Sequence, residues 1–352
     1  MGADGKVVTT NPLAVIRADA SRVIGGGHIM RCLTLADGMS ARGWRTAFAV
    51  APGTPEAAAA LPRSQHEFRI LEDPTPETLA ASWPEGAELL VVDHYDLDAC
   101  WERANRPWAR RILAIDDLAN RPHDADILLD QTFGRAAEEY RGLVGPDCRI
   151  FTGSTHALLR PVFAAAQPAA LARRVLLPAE PRVLVAMGMS DPDDATGLVL
   201  DGIAASGLPL RVDVVLGSGA PHVERVRART TSMPQPARLL CDVTDMAGLM
   251  VEADLAVGAG GTTSWERCCL GLPGLVIVTA NNQERIAHEL DAAGAIQMLG
   301  RHPSVPASAV AEALSVLVHD DQARIAMSRA ATALCDGLGC ERLLEDLERS
   351  LR

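Results

Sequence analysis

Short runs of apolar residues recur along the chain, each followed by a longer, alanine-rich stretch with helical spacing. The runs fall at 13–16, 46–50, 89–92, 112–115 and 127–129, and again at 183–186, 212–216, 255–257 and 275–278. They are continuous rather than alternating, the pattern of parallel strands covered on both faces. Between them, 28–42, 98–105, 193–205, 244–252, 264–270 and 284–293 read as helices. Strand and helix alternate from end to end, so the chain reads as α/β. The pattern weakens once, over 160–181, where prolines stand at 161, 168, 178 and 181 without a clean strand. This predicts two doubly wound, Rossmann-like domains, 1–165 and 182–352, joined by a linker over 166–181. In such pairs a ligand sits at the carboxyl ends of the strands, in the crevice between the domains.

Composition narrows the chemistry. The 352 residues exceed one ordinary core, and 48% apolar with 22% charged residues is an ordinary globular balance. A formal charge of −12 opposes nucleic-acid binding. No apolar run approaches the ~20 residues of a membrane helix, so no membrane insertion is expected. The opening MGADGKVVTT lacks a basic region followed by an apolar one, so no secretory leader is expected. Gly2 is followed by lysine at position 6, which departs from a myristoylation signal. The eight cysteines form no C-x-x-C pair, so no metal site is expected, and scattered thiols fit a reducing cytoplasm. Of the 33 basic residues Lys6 alone is lysine. It lies in a polar tail with no strand before it, where it can serve neither a Schiff base nor a Walker-type phosphate loop. No cofactor is expected. An anionic ligand must be held by arginine, histidine, backbone N–H groups or helix starts.

Two glycine clusters supply such places. Gly25, Gly26 and Gly27 stand where the first strand should turn into a helix, and consecutive glycines let the backbone approach a ligand closely. The spacing is not that of a dinucleotide fingerprint. His28 follows directly, where it can take a proton from water near neutral pH or merely cap the helix. In the second half, Gly260 and Gly261 turn the chain toward Thr262, Thr263, Ser264 and Glu266. Glu266 can accept both hydroxyls of a ribose, or close a capping box with Thr263. Asn282 and Gln283 follow a later strand, where side-chain amides suit sugar hydroxyls, phosphate or loop structure. Asp191 stands equally between helix capping and substrate contact. Asp116, Asp117, His123 and Asp126 are scattered across a turn and read as a structural loop.

These motifs together carry a resemblance. R-A-D-x-S-x-x-I-G-x-G-H-x-M-R-C-L-T-L-A occupies positions 17–36. VVDHYDLDACWE, IDDLANRPHDADILLDQT, LLRPVF, SDPDD, ADLAVGAGGTTSWERCCLGLP, NNQ and CDGLGCERL follow in order. The set resembles the UDP-2,4-diacetamido-2,4,6-trideoxy-β-L-altropyranose hydrolases of pseudaminic-acid biosynthesis, relatives of the GT-B glycosyltransferases, over roughly 13–345. The resemblance implies two Rossmann-like domains with a UDP-sugar in the cleft. It implies attack of water on the anomeric carbon and departure of UDP with inversion, for nonulosonic acid synthesis. His28 matches the family's catalytic histidine, Tyr95 its tyrosine near the sugar and Asn282 its asparagine at the substrate. Glu266 matches the glutamate that binds the nucleotide ribose in the wider group, and 260–263 its diphosphate loop. Met189, Val162, His156 and Asp96 depart from the family pattern and bear on sugar specificity. Two other readings remain: a GT-B glycosyltransferase with a hydroxyl acceptor, and a non-catalytic UDP-sugar binding protein.

Overall fold

The computed structural model describes residues 11–21 and 24–351. Lys6, Gly2 and motif positions 22 and 23 lie outside the described residues. The first sheet contains β1 (Leu13–Ala18), β2 (Arg45–Val50), β3 (Glu67–Ile70), β4 (Ala87–Asp93), β5 (Ala109–Ile115), β6 (Ile127–Asp130) and β7 (Arg149–Thr152). The second contains β8 (Arg182–Ala186), β9 (Arg211–Leu216), β10 (Ala237–Cys241), β11 (Leu255–Ala259), β12 (Gly274–Val278) and β13 (Gln297–Arg301). Their orders are β3-β2-β1-β4-β5-β6-β7 and β10-β9-β8-β11-β12-β13. Every pairing is parallel. The α/β, GT-B-like architecture expected from the sequence is the observed one.

Each expected apolar run lies within a strand. β1, β11 and β12 are buried along their whole length, because helices cover both faces of the sheet. Separate cores form around the two sheets: Ile16, Phe48 and Leu113 lie in one, Val185, Val214 and Val257 in the other.

The expected linker begins inside a helix, Pro161–Arg173. Pro161 occupies its first turn, where a missing N–H costs nothing, and Phe163 and Ala170 bury against the second domain. The last helix, Gly339–Leu351, crosses back to the first domain. There Cys340, Leu343, Leu344 and Leu347 share a core with Ile29, Leu35 and Met39, and Arg149 pairs with Asp346. Only glycine fits at 339, since a methyl group there would lie 2.4 Å from the His156 carbonyl carbon.

Candidate functional site

Each sheet changes its direction of winding at one point, between β1 and β4 in the first domain and between β8 and β11 in the second. Loops diverge there and leave a crevice. The two crevices face one another across a cleft of about 620 Å³. Gly25–His28, Tyr95 and Asp117 line one wall. Gly188–Asp193, Gly260–Thr263 and Thr279–Gln283 line the other. The walls approach closely: a methyl group at Gly27 would lie 3.3 Å from Thr262 Oγ1. Gly25 has φ +79°, a backbone state that favours glycine.

His28 is the second residue of the helix Gly27–Ser40, and Gly26 holds the cap position without a side-chain hydrogen bond. His28 therefore does not cap the helix. Its Nδ1 lies 2.7 Å from Oδ1 of Asp93, the last residue of β4. Arg31, one turn along the same helix, donates to the same carboxylate from Nε (2.7 Å) and Nη2 (2.5 Å). Burial alone would raise the Asp93 pKa, but the Arg31 guanidinium and His28 hold it well below the usual carboxylate range. An ionised Asp93 can only accept, so the Nδ1 proton of His28 is fixed toward it and Nε2 keeps its lone pair.

Tyr95 follows β4 by two residues and stacks edge-on to His28, with ring centroids 4.9 Å apart. Its hydroxyl donates to Asp117 Oδ2 at 3.2 Å and accepts from Asn282 Nδ2 at 3.0 Å. The second contact crosses the cleft, so His28, Tyr95 and Asn282 form one cluster drawn from both domains. One turn beyond Asn282, Arg285 grips Glu139 of the first domain with two hydrogen bonds of 2.7 and 2.8 Å. That grip is the main reason the Glu139 pKa falls to about 2.

The other candidates separate by their partners. Both Asp191 oxygens accept backbone N–H groups, from Ala195 and Thr196 at 2.9 Å, so the carboxylate caps the following helix. It still lines the cleft. Gln283 Oε1 accepts from Gly260 N (3.3 Å), Thr279 N (3.0 Å) and Thr279 Oγ1 (3.1 Å), tying the two loops together. Glu266 forms no capping box: Thr262 is the cap residue and makes no side-chain cap bond. Instead Glu266 borders a small cavity beside the cleft together with Arg31, Arg160 and Trp265. Burial pushes its pKa up to about 7, against the pull of Arg160 and Arg267.

Sequence reasoning missed Asp93 and the roles of Arg31 and Asp117. The signal was present as a carboxylate at a strand end facing a histidine across the switch point. His94 is hydrogen-bonded in the structure, with Nε2 3.2 Å from Asp19. Asp116 and His123 are structural: they pair with Arg121 (2.6 Å) and Glu102 (2.8 Å). Among the described residues no group of three or more His, Cys, Asp or Glu side chains is placed to hold a metal, and no helix is long and apolar enough to cross a membrane.

Two parallel-sheet domains with a polar cleft at facing switch points define the class: a GT-B-type α/β protein. MurG of Acinetobacter baumannii shares this fold, with a TM-score of 0.69 over 96% of this chain and 99% of that one, at 13% identity. Curated proteins are related in sequence as well. The spore coat polysaccharide biosynthesis protein SpsG of Bacillus subtilis is 33% identical over 214 residues, 59% of this chain and 61% of SpsG. The UDP-2,4-diacetamido-2,4,6-trideoxy-β-L-altropyranose hydrolase of Campylobacter jejuni is 32% identical over 150 residues, 42% of this chain and 52% of the hydrolase. The chain is thus a distant relative of the hydrolase, and it matches less than two thirds of either relative's length. No protein-family model matches the chain.

Proposed function

We propose that this chain hydrolyses a UDP-linked 2,4-diacetamido-2,4,6-trideoxy sugar at the anomeric carbon, in the biosynthesis of a nonulosonic acid. The observation that carries the reading is the buried Asp93 carboxylate against His28 Nδ1, which leaves a basic Nε2 in a cleft facing a glycine loop. The motif resemblance and the related Campylobacter hydrolase support this choice of substrate class.

In this mechanism the diphosphate lies against the backbone N–H groups of 260–263 and the start of the helix Gly27–Ser40, which meet the charge that develops on the leaving group. Glu266 takes the ribose hydroxyls. Water bound beside His28 gives one proton to Nε2 as its oxygen attacks the anomeric carbon. The C–O bond to the diphosphate breaks, and its electron pair leaves with UDP. A single displacement inverts the anomeric centre. Asp93 stabilises the imidazolium that forms. UDP is a good leaving group and needs little protonation, so one base replaces the two carboxylates of ordinary glycoside hydrolysis.

The test is incubation with a panel of UDP-diacetamido-trideoxy sugars, following UDP release and the anomer formed by NMR. His28→Asn should abolish release and leave UDP affinity nearly intact. Turnover of that variant at the wild-type rate would refute the base. Release that required an added hydroxyl acceptor would make the protein a glycosyltransferase.

A further inference from the structure

Arg267 lies behind the 260–263 loop, in the helix Thr263–Cys269, and only 2% of it is exposed. Two glycines leave the room it needs: a methyl group at Gly258 would lie 2.5 Å from its Nη1, and one at Gly274 would lie 3.6 Å from its Nε. Nη2 donates to the Ala259 carbonyl and to Ser264 Oγ, both at 3.0 Å, and Nη1 donates to Thr263 Oγ1 at 3.4 Å. Nε is buried without a partner. All three acceptors are uncharged, and among the described residues Arg267 forms no ion pair. The neighbouring Glu266 compensates it poorly, since burial pushes that carboxyl up to about 7. Burial also lowers the pKa of the guanidinium, yet an arginine stays protonated in a protein. The other buried arginines are answered. Arg17, Arg31, Arg135 and Arg324 pair with carboxylates, and Arg174 takes carbonyls at the end of the helix Met246–Glu252.

We propose that Arg267 is a positioning residue for the diphosphate: buried behind the 260–263 loop without a counter-ion, it keeps that loop electropositive, and a phosphate anion in the cleft is the counter-ion it lacks. The inference rests on the reading of the cleft as a UDP-sugar site. Ala259 and Thr263 line the cleft in front of it. The Ala259 carbonyl is drawn back onto Nη2, which turns that acceptor away from a ligand. A lone pair of Thr263 Oγ1 lies on Nη1, which leaves the hydroxyl proton for the cleft. A buried charge without a counter-ion costs the free protein stability, and a bound anion relieves that cost. A diphosphate carries more negative charge once it has left the sugar, so Arg267 favours the departing UDP over the bound substrate.

The probes are UDP, UMP and uridine, titrated calorimetrically into the full chain at low salt. Arg267→Gln keeps a donor for the loop and loses the charge, and Arg267→Met loses both. In each variant UDP affinity should fall roughly tenfold or more, the size of one unit-charge interaction near a protein surface. UMP affinity should fall less, and uridine affinity should hold. A merely structural role would not grade the loss by the charge of the ligand. Equal losses for UDP and UMP, a loss for uridine as large as that for UDP, or no loss in either variant would overturn the proposal. Failure of both variants to fold in a thermal melt would make the guanidinium a structural strut and overturn it as well. A wild type that binds UDP, with the graded loss in the variants, but hydrolyses no UDP-diacetamido sugar would overturn the hydrolase reading alone. A wild type that binds none of the three probes would overturn both.

Discussion

Asp93→Asn is the sharpest probe of the proposed base. The carboxylate accepts from His28 Nδ1 (2.7 Å), Arg31 Nε (2.7 Å), Arg31 Nη2 (2.5 Å) and Cys32 Sγ (3.4 Å). An amide of the same shape keeps one acceptor oxygen. If its nitrogen replaces Oδ2, it meets the N–H of Arg31 Nε. If it replaces Oδ1, it meets Arg31 Nη2 and donates to His28 Nδ1, which moves the imidazole proton to Nε2 and removes the base. Both placements strand a buried guanidinium, at a cost of about 3–5 kcal/mol for a broken buried pair. The wrong tautomer lowers kcat by about 10⁴, the size of the loss when an orienting carboxylate becomes an amide in a hydrolase triad. UDP release at saturating substrate measures kcat, a thermal melt checks that the protein is folded, and ¹⁵N spectra of the imidazole read the tautomer. A folded Asp93→Asn protein whose imidazole carried its proton on Nε2 and still kept more than a tenth of the wild-type kcat would refute the assignment. The acid limb follows in sign. The folded-state pKa of Asp93 lies below its unfolded value, so its stabilising contribution is complete above about pH 4 and declines as the solution becomes more acid. The variant should therefore lose part of the acid sensitivity of the melt.

Glu266 has the opposite sign: its folded-state pKa of about 7 lies above the unfolded value, so ionisation destabilises the free protein as pH rises through the interval below 7. Glu266→Gln should raise the melting temperature at pH 8 and change it little at pH 4, and should weaken UDP binding most at alkaline pH; equal shifts at both pH values would contradict this. Arg285→Met removes a half-exposed pair across the cleft and should cost only about 0–1 kcal/mol in chemical denaturation. The same change should increase the radius of gyration of the free protein in X-ray scattering. Met189 Cε lies 3.2 Å from where a methyl group at Gly26 would sit, so Met189→Gly should widen the mouth and lower KM for bulkier sugars in a competition assay. Replacing Lys6 should leave UDP affinity and turnover unchanged in the same titrations.

The strands visible in the sequence are the interior ones. β3, β7, β10 and β13, which no apolar run announced, are the four sheet edges. Their sequences EFRI, RIFT, ARLLC and QMLGR include exposed or half-exposed positions, so burial does not impose an unbroken apolar run on them. The helix Pro161–Arg173 escaped because Pro168 lies inside it, a residue that ordinarily ends a helical pattern. The site divides similarly. His28, Tyr95 and Asn282 were legible as candidates because each follows a strand in a motif of the family that the sequence resembles. Asp93 and Asp117 were not legible as partners. Their roles depend on which strand lies beside which, and positions 28 and 93 become neighbours only once β4 pairs with β1.

The return of the last helix to the first domain makes the connection between the halves double. One crossing runs out through the helix Pro161–Arg173, and the other comes back ahead of Gly339. A body hung on a single strap can swing and twist, whereas a door on two hinges turns about one line. Such a mounting holds Asn282 in register with Tyr95, although the two residues stand 187 positions apart. It also makes the C-terminal end part of the hinge rather than trim: cutting the chain before Gly339 would release one hinge and bare the apolar face of the first domain at once.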